Sequence, residues 1–189
     1  MTLPPMQLHM ILANAAAEQI PAVLPPPGYD LRPYRPGDEA GILRVLEAAG
    51  FDDWNPPRLT EYLQAPERAA GTHVVTCNET HVALTFASQE TPVPRVGRLD
   101  YVAADPDHQG RGLGKAVCAA VIRYLLDRDY PSVVLSTDDW RRPAIKTYLR
   151  LGFRPKMIRE DMPERWRVIL EELGWDYDDD WMAYPTKER

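Results

Sequence analysis

Apolar and polar positions along the chain follow two periods, and the switches between them outline the elements. Tyr29–Tyr34 sets Leu31 between Asp30 and Arg32, a strand-like alternation that ends at the turn residues Pro36-Gly37. Ile42, Leu43, Val45 and Leu46 then recur at helical spacing. They predict a helix to about Ala49 with Asp38 as its cap. Leu59, Tyr62 and Leu63 predict a second short helix from Pro57 to Gln64. Two β-rich runs, Thr72–Cys77 and Val82–Ser88, are separated by Asn78-Glu79-Thr80 and read as a hairpin. A strand over Val96–Ala104 leads through Asp105–Gly110 into a helix to about Arg128. That helix carries Leu113, Val117, Ala120, Val121, Tyr124 and Leu125 on its apolar positions. Ser132–Ser136 reads as a buried strand parallel to its neighbour, since a helix separates the two. Arg142–Leu151 is a helix with Pro143 in its first turn and Gly152 as its stop. Phe153–Ile158 reads as a strand, and Pro163–Leu173 as a last amphipathic helix with Trp166, Ile169, Leu170 and Leu173.

The predicted order is β-α-α-β-β-β-α-β-α-β, followed by a helix and a tail. An antiparallel first half joined to a β-α-β-α second half is a mixed α/β fold with a central mixed sheet flanked by helices. The 189 residues suit one domain with appended material, and 44% hydrophobic and 26% charged residues allow a sizeable core. Residues 1–28 carry six prolines. Their Pro25-Pro26-Pro27-Gly28 run forbids a regular helix or central strand at that point, and residues 1–28 read as an N-terminal arm whose Met6–Ile20 portion is a short helix or an extended segment. The domain proper is then 29–160. Residues 161–189 form a C-terminal helix and acidic tail packed on it.

Charge and composition narrow the function. A net charge of −6 disfavours nucleic acid as a partner, which would ask for a basic surface. Cys77 and Cys118 show no metal-ligand or disulfide spacing and read as buried small hydrophobes in a reducing compartment. The four histidines form no ligand pair at helical spacing, so no metal is expected. No apolar run reaches the ~18–20 residues of a membrane span, and no basic n-region opens the chain. The expectation is a cytoplasmic protein without a membrane partner.

The chemistry concentrates in Val102–Lys115. A glycine-rich turn there opens a helix directly after a strand. Glycines let the backbone approach an anion, and the free N–H groups and positive dipole end of the helix favour a phosphate. Arg111 and Lys115 add charge. A P-loop would need glycine where Gln109 stands and Ser or Thr where Ala116 stands. A dinucleotide fingerprint would need glycine at Lys115. Neither fits.

Gln109-x-x-Gly112-x-Gly114 instead resembles the pyrophosphate signature of the GNAT superfamily of N-acetyltransferases, and Asp105-Pro106 and the preceding strand suit the same segment. A second block about thirty residues on, Ala144-Ile145-x-x-Tyr148-x-x-x-Gly152-Phe153, is similar to that family's fourth-helix segment. Both blocks occur in the right order, separated by one strand, and the match covers roughly residues 98–153.

The resemblance implies a GNAT fold and an acyl-CoA co-substrate, acetyl-CoA by default. The pantetheine arm would run beside the backbone of Val102, Ala103 and Ala104. The pyrophosphate would lie on the N–H groups of Gln109, Gly110, Arg111, Gly112, Leu113, Gly114 and Lys115. An N–H near Ala104 would hold the oxyanion, and Tyr148 would protonate the departing thiolate. The acceptor would be an amine, acylated directly in a ternary complex: a small molecule, a peptide N-terminus or a lysine. Oligomeric state stays open, a homodimer included.

Two positions depart from the family pattern. Arg141 stands where an Asn is common, which replaces one coenzyme A contact by a charged one. Arg98 stands where some members carry a glutamate base. Asp100, on the same strand face, is a candidate catalytic base and equally a structural hydrogen-bonding residue. Tyr148 likewise has a core-packing reading. A non-catalytic domain that binds coenzyme A or acyl-CoA is the alternative of another class; it would keep the glycine loop and have no need of Tyr148. The run Asp176, Asp178, Asp179 and Asp180 with Trp175, Tyr177 and Trp181 reads as a solvated tail or as an acidic lip for a cationic acceptor.

Overall fold

A computed structural model describes residues 6–13, 19–90 and 95–182. Pro4 and Pro5, residues 14–18 of the expected arm and residues 183–189 of the expected tail lie outside them. The elements in chain order are β1 (Leu8–Ala13), β2 (Tyr29–Pro33), α1 (Glu39–Ala48), α2 (Pro56–Leu63), α3 (Pro66–Gly71), β3 (His73–Cys77), β4 (Thr80–Gln89), β5 (Val96–Ala104), α4 (Leu113–Leu126), β6 (Ser132–Thr137), α5 (Arg142–Arg150), β7 (Arg154–Pro155) and α6 (Met162–Leu173). They fall into two compact units, a larger one within residues 14–133 and a smaller one from residues within 1–13 and 134–189.

In the larger unit β2, β3, β4 and β5 pair consecutively and antiparallel. The β3–β4 turn is made by Asn78 at φ 48° and Glu79 at φ 65°, with Cys77 opposite Thr80. Two successive positive φ values are what a two-residue hairpin needs to match strand twist. Alternate strand residues serve opposite faces. Val74, Leu84, Phe86 and Ala103 pack with Ile42, Val45 and Leu46 of α1 and Leu59 of α2. Val75 and Ala83 pack with Leu113 and Val117 of α4. With both faces covered, Val82–Ser88 of β4 is buried throughout, Thr85 and Ser88 included, hence its lack of apolar–polar alternation.

β5 carries an extra residue. Ala103 pairs with Leu84 but Asp100 with Phe86, so the register shifts by one, and Tyr101 between them has φ 51°. This is a β-bulge directly before Val102–Ala104.

In the smaller unit β1 and β7 pair antiparallel, Met10 opposite Pro155, and Lys156 donates to the His9 carbonyl at 2.9 Å. Leu8, Met10 and Leu12 are buried alternately. The segment expected as a short helix or extended arm thus contains a strand. The expected strand over Phe153–Ile158 shortens to Arg154–Pro155, since Pro155 has no N–H to give to a ladder. α6 buries Trp166, Ile169 and Leu170 and stops at Gly174, φ 58°.

Asp38 also departs from expectation. It precedes α1 but makes no side-chain cap bond. Its carboxylate takes both guanidinium nitrogens of Arg32, at 2.7 and 2.8 Å, the Arg35 N–H at 2.8 Å and the His81 Nε2 at 3.0 Å. Gly41 is required beside it, because a Cβ there would lie 2.1 Å from the His81 ring. Burial alone would raise the Asp38 pKa, but the Arg32, Arg35 and His81 bonds outweigh it and bring it down to about 2. A carboxyl lowered from 3.8 to about 2 in the folded state stabilises the fold above the unfolded value, and that contribution disappears as pH falls from about 4 to 2. At neutral pH it is worth about 2 kcal/mol. The stability difference between wild type and Asp38→Asn, measured by urea unfolding, should therefore shrink over that window. A pH-independent difference would refute this account.

Candidate functional site

β5 delivers the chain to the glycine loop. Asp105 follows it with its N–H on the Val82 carbonyl, and its side chain accepts from the Asp107 N–H at 3.1 Å, closing a 3₁₀ turn over Pro106–His108. Gln109, Gly110, Arg111 and Gly112 are exposed, Gly114 and Lys115 half-buried, and Leu113 buried. Leu113 and Val117 anchor α4 into the core, so its first turn is fixed while the loop before it stays open. Gly110 has φ 76° and Gly112, at the N-cap position of α4, φ 78°. A Cβ at Gly110, Gly112 or Gly114 would meet nothing within 4 Å. The first four N–H groups of a helix have no partner within it, so α4 presents backbone donors and a positive dipole end beside a clear space. Arg111 donates to the Asp107 carbonyl at 2.5 Å, which folds its guanidinium back over the turn. The donor set is suited to a phosphate group.

Asp100 lies just before the bulge. Its Oδ1 accepts from Arg98 Nε at 2.6 Å, and its Oδ2 from the Ser88 hydroxyl at 2.5 Å and the Tyr62 hydroxyl at 2.9 Å. Burial, followed by the neighbouring Asp100 charge, pushes the Tyr62 pKa well up, so its hydroxyl stays protonated as a donor. Tyr62 belongs to an aromatic group with Trp54, Phe86 and Tyr101. Arg58 lies over the Trp54 ring and donates to the Tyr101 hydroxyl at 3.2 Å, and Arg68 lies over Tyr62. Sequence reasoning did not single out Ser88, Tyr62 or Arg58, because partners 12 to 43 residues away leave no local pattern.

Tyr148 and Arg141 belong to the smaller unit. Tyr148 lies on α5, 6% exposed, with its ring edge-on to Phe153 at 6.2 Å. Arg141 immediately precedes α5, donates to Asp138 at 3.1 Å and stacks over Trp140. Asp176, Asp178, Asp179 and Asp180 are exposed, while Trp175, Tyr177 and Trp181 are half-buried and Met182 is buried. The aromatic residues of this segment are therefore partly covered, unlike the aspartates between them. Cys118 is buried, which raises its thiol pKa to about 12, and Cys77 is half-buried, not buried as expected. Among the described residues no group of three or more His, Cys, Asp or Glu could hold a metal ion, and no helix is long and apolar enough to cross a membrane.

The strand, bulge, glycine loop and helix fall inside a family match. The model of the acetyltransferase (GNAT) family covers residues 40–153, well over half of the chain. The chain belongs to this family. A mycothiol acetyltransferase from Nocardia farcinica is 33% identical over 168 residues, spanning 80% of this chain and 54% of the relative. One from Pseudarthrobacter chlorophenolicus is 30% identical over 169 residues, spanning 79% and 50%. The chain spans about half the length of the curated relatives it matches. Among solved structures, a GCN5-related N-acetyltransferase from Sphaerobacter thermophilus superposes with a TM-score of 0.68 at 22% identity, covering 79% of this chain and 48% of that one. AAC(6')-Iy, solved with a CoA-linked bisubstrate analogue, superposes with a TM-score of 0.57 at 19% identity over 66% of this chain and 89% of its own. These likenesses show the GNAT fold that the resemblance of the two sequence blocks implied.

Proposed function

We propose that this GNAT family member is an N-acyltransferase that moves an acetyl or other acyl group from acyl-CoA to an amine, by direct attack in a ternary complex. The observation that carries the reading is the open glycine loop at the start of α4, where positive-φ Gly110 and Gly112 expose backbone donors. In this reading the N–H groups of Gln109–Lys115 take the pyrophosphate, with Arg111, Lys115 and Arg141 adding positive charge. The backbone of Val102–Ala104 pairs with the pantetheine arm. The bulge at Tyr101 supports this role, since a bulge interrupts ladder pairing and re-aims the backbone next to it. An N–H near Ala104 polarises the thioester carbonyl and stabilises the oxyanion formed on attack. Tyr148 gives its proton to the departing thiolate.

The amine must lose a proton to become a nucleophile. Asp100 is the candidate acceptor, with both oxygens already engaged. It takes that proton through the Tyr62 hydroxyl, which receives one proton as it passes its own to Asp100 and so never ionises. Solvent is the other route, along a water chain. The names of the relatives make a mycothiol-type amine the first acceptor to offer, followed by polyamines, aminoglycosides, amino acids and peptide N-termini. The reading places the protein in the cytoplasm, where acyl-CoA is available.

The test is release of free thiol from acetyl-CoA across such an acceptor panel. Acceptor-dependent release confirms the proposal. Tight acetyl-CoA binding without release on any acceptor would instead make the chain a coenzyme A-binding module.

A further inference from the structure

An anion site made of backbone N–H groups is only as well aimed as the loop that carries them. Here the loop has little to stiffen it from within. Gly110, Gly112 and Gly114 contribute no side chains and have clear space around them, and glycine is the residue with most conformational freedom to lose. The first turn of α4 fixes one end of the loop through Leu113 and Val117; at the other end, support comes from the turn just before it, Asp105–Gln109.

Two side chains from distant elements hold that turn. Arg44 of α1 donates one guanidinium nitrogen to Asp105 Oδ2 at 3.0 Å and the other to the His81 carbonyl. Asp105 uses its remaining oxygen on the Asp107 N–H, so one carboxylate closes the turn and ties it to α1. That N–H and Arg44 hold the Asp105 carboxyl below its ordinary pKa, so it is ionised at neutral pH. The anchor for Arg44 is itself fixed, because the His81 ring is bonded to Asp38, which Arg32 grips with both nitrogens. From the other direction Tyr29 of β2 places its hydroxyl 3.0 Å from His108 Nδ1, with the rings edge-to-face at 5.7 Å.

We propose that Arg44 and Tyr29 are positioning residues for the anion-binding loop, acting through Asp105 and His108. The inference rests on the acyl-CoA reading and adds to it two residues outside the glycine motif. Arg44 has a side chain 45% exposed, and exposed ion pairs contribute little to global stability. Its loss should loosen the loop while leaving the fold intact.

The test compares wild type, Arg44→Gln, Tyr29→Phe and the double variant on two donors. Acetyl-CoA carries the pyrophosphate; acetyl-pantetheine lacks it. Each single variant should raise the acetyl-CoA Kd and KM by about 3- to 10-fold, as expected for loss of one supporting polar contact. The double variant should raise them further, with kcat at saturation and melting temperature nearly unchanged. KM for acetyl-pantetheine should not move, and Arg44→Lys, which keeps the charge, should recover part of the loss. Equal losses on both donors would mean a general structural role and would overturn the proposal, as would variants that bind acetyl-CoA like wild type. A wild-type protein that binds no acetyl-CoA removes the functional reading and this inference together.

Discussion

Gly112→Asp should weaken acetyl-CoA binding by at least about tenfold, or ~1.4 kcal/mol, with the fold retained. Three facts separate these effects. The residue is exposed and a Cβ there meets nothing within 4 Å, so no clash disturbs the core. Its φ of 78° is costly for most side chains, but Asp is among the residues that tolerate the left-handed region. Finally, position 112 is the N-cap of α4, where a negative charge is favourable for the helix itself. The carboxylate should therefore satisfy the same N–H groups and dipole that the phosphates would use, and repel a ligand carrying charge of its own sign. Gly112→Ala separates backbone strain from charge, and should lose much less affinity. Calorimetry showing equal acetyl-CoA affinity for wild type and Gly112→Asp would place the ligand elsewhere and remove the basis of the functional reading.

What the sequence made legible were features whose cause is local. The Val96–Ala104 strand, the α4 face and the glycine spacing depend on residues a few positions apart, and their boundaries emerge closely in the structure. The hairpin at Asn78-Glu79 is legible for the same reason, although Glu79 has a left-handed backbone that its residue type does not advertise. Features with distant causes were not legible. Leu8–Ala13 alternates in burial but not in sequence, where Met10-Ile11-Leu12-Ala13 is continuously apolar, and its partner Arg154–Pro155 lies over 140 residues away. α3 is a single six-residue turn-and-a-half whose Gly71 is forced by the approach of Ala87 and Tyr124 rather than by any helix rule. Asp38 has the residue type and position of a cap. Arg32 takes its carboxylate with both nitrogens, and Asp38 itself has helical φ and ψ rather than the extended backbone of a capping residue. The same limit governs the site. The motif names the loop, while Arg44 and Tyr29 that brace it, and Ser88 and Tyr62 that engage Asp100, emerge only from three-dimensional contacts.

Tyr148→Phe tests the chemical step. The substitution keeps the ring and its edge-on contact with Phe153, and removes only the hydroxyl. Coenzyme A leaves as a thiolate, a poor leaving group in a dry site. A phenol of reference pKa about 10 remains protonated at neutral pH and can donate to a thiolate whose thiol has a pKa near 8.5. We expect kcat to fall by about 10- to 10³-fold, the span in which loss of a general acid usually registers, with acetyl-CoA affinity little changed. Tyr148 is also nearly buried, so the competing account is a packing residue of α5. The two accounts predict opposite patterns. A packing residue loses melting temperature and keeps turnover per folded molecule, whereas a general acid keeps melting temperature and loses turnover. A donor with a better leaving group sharpens the comparison: an acyl donor whose thiol is more acidic needs less protonation, so the Tyr148→Phe defect should shrink with it. A defect of the same size on both donors would remove Tyr148 from proton transfer.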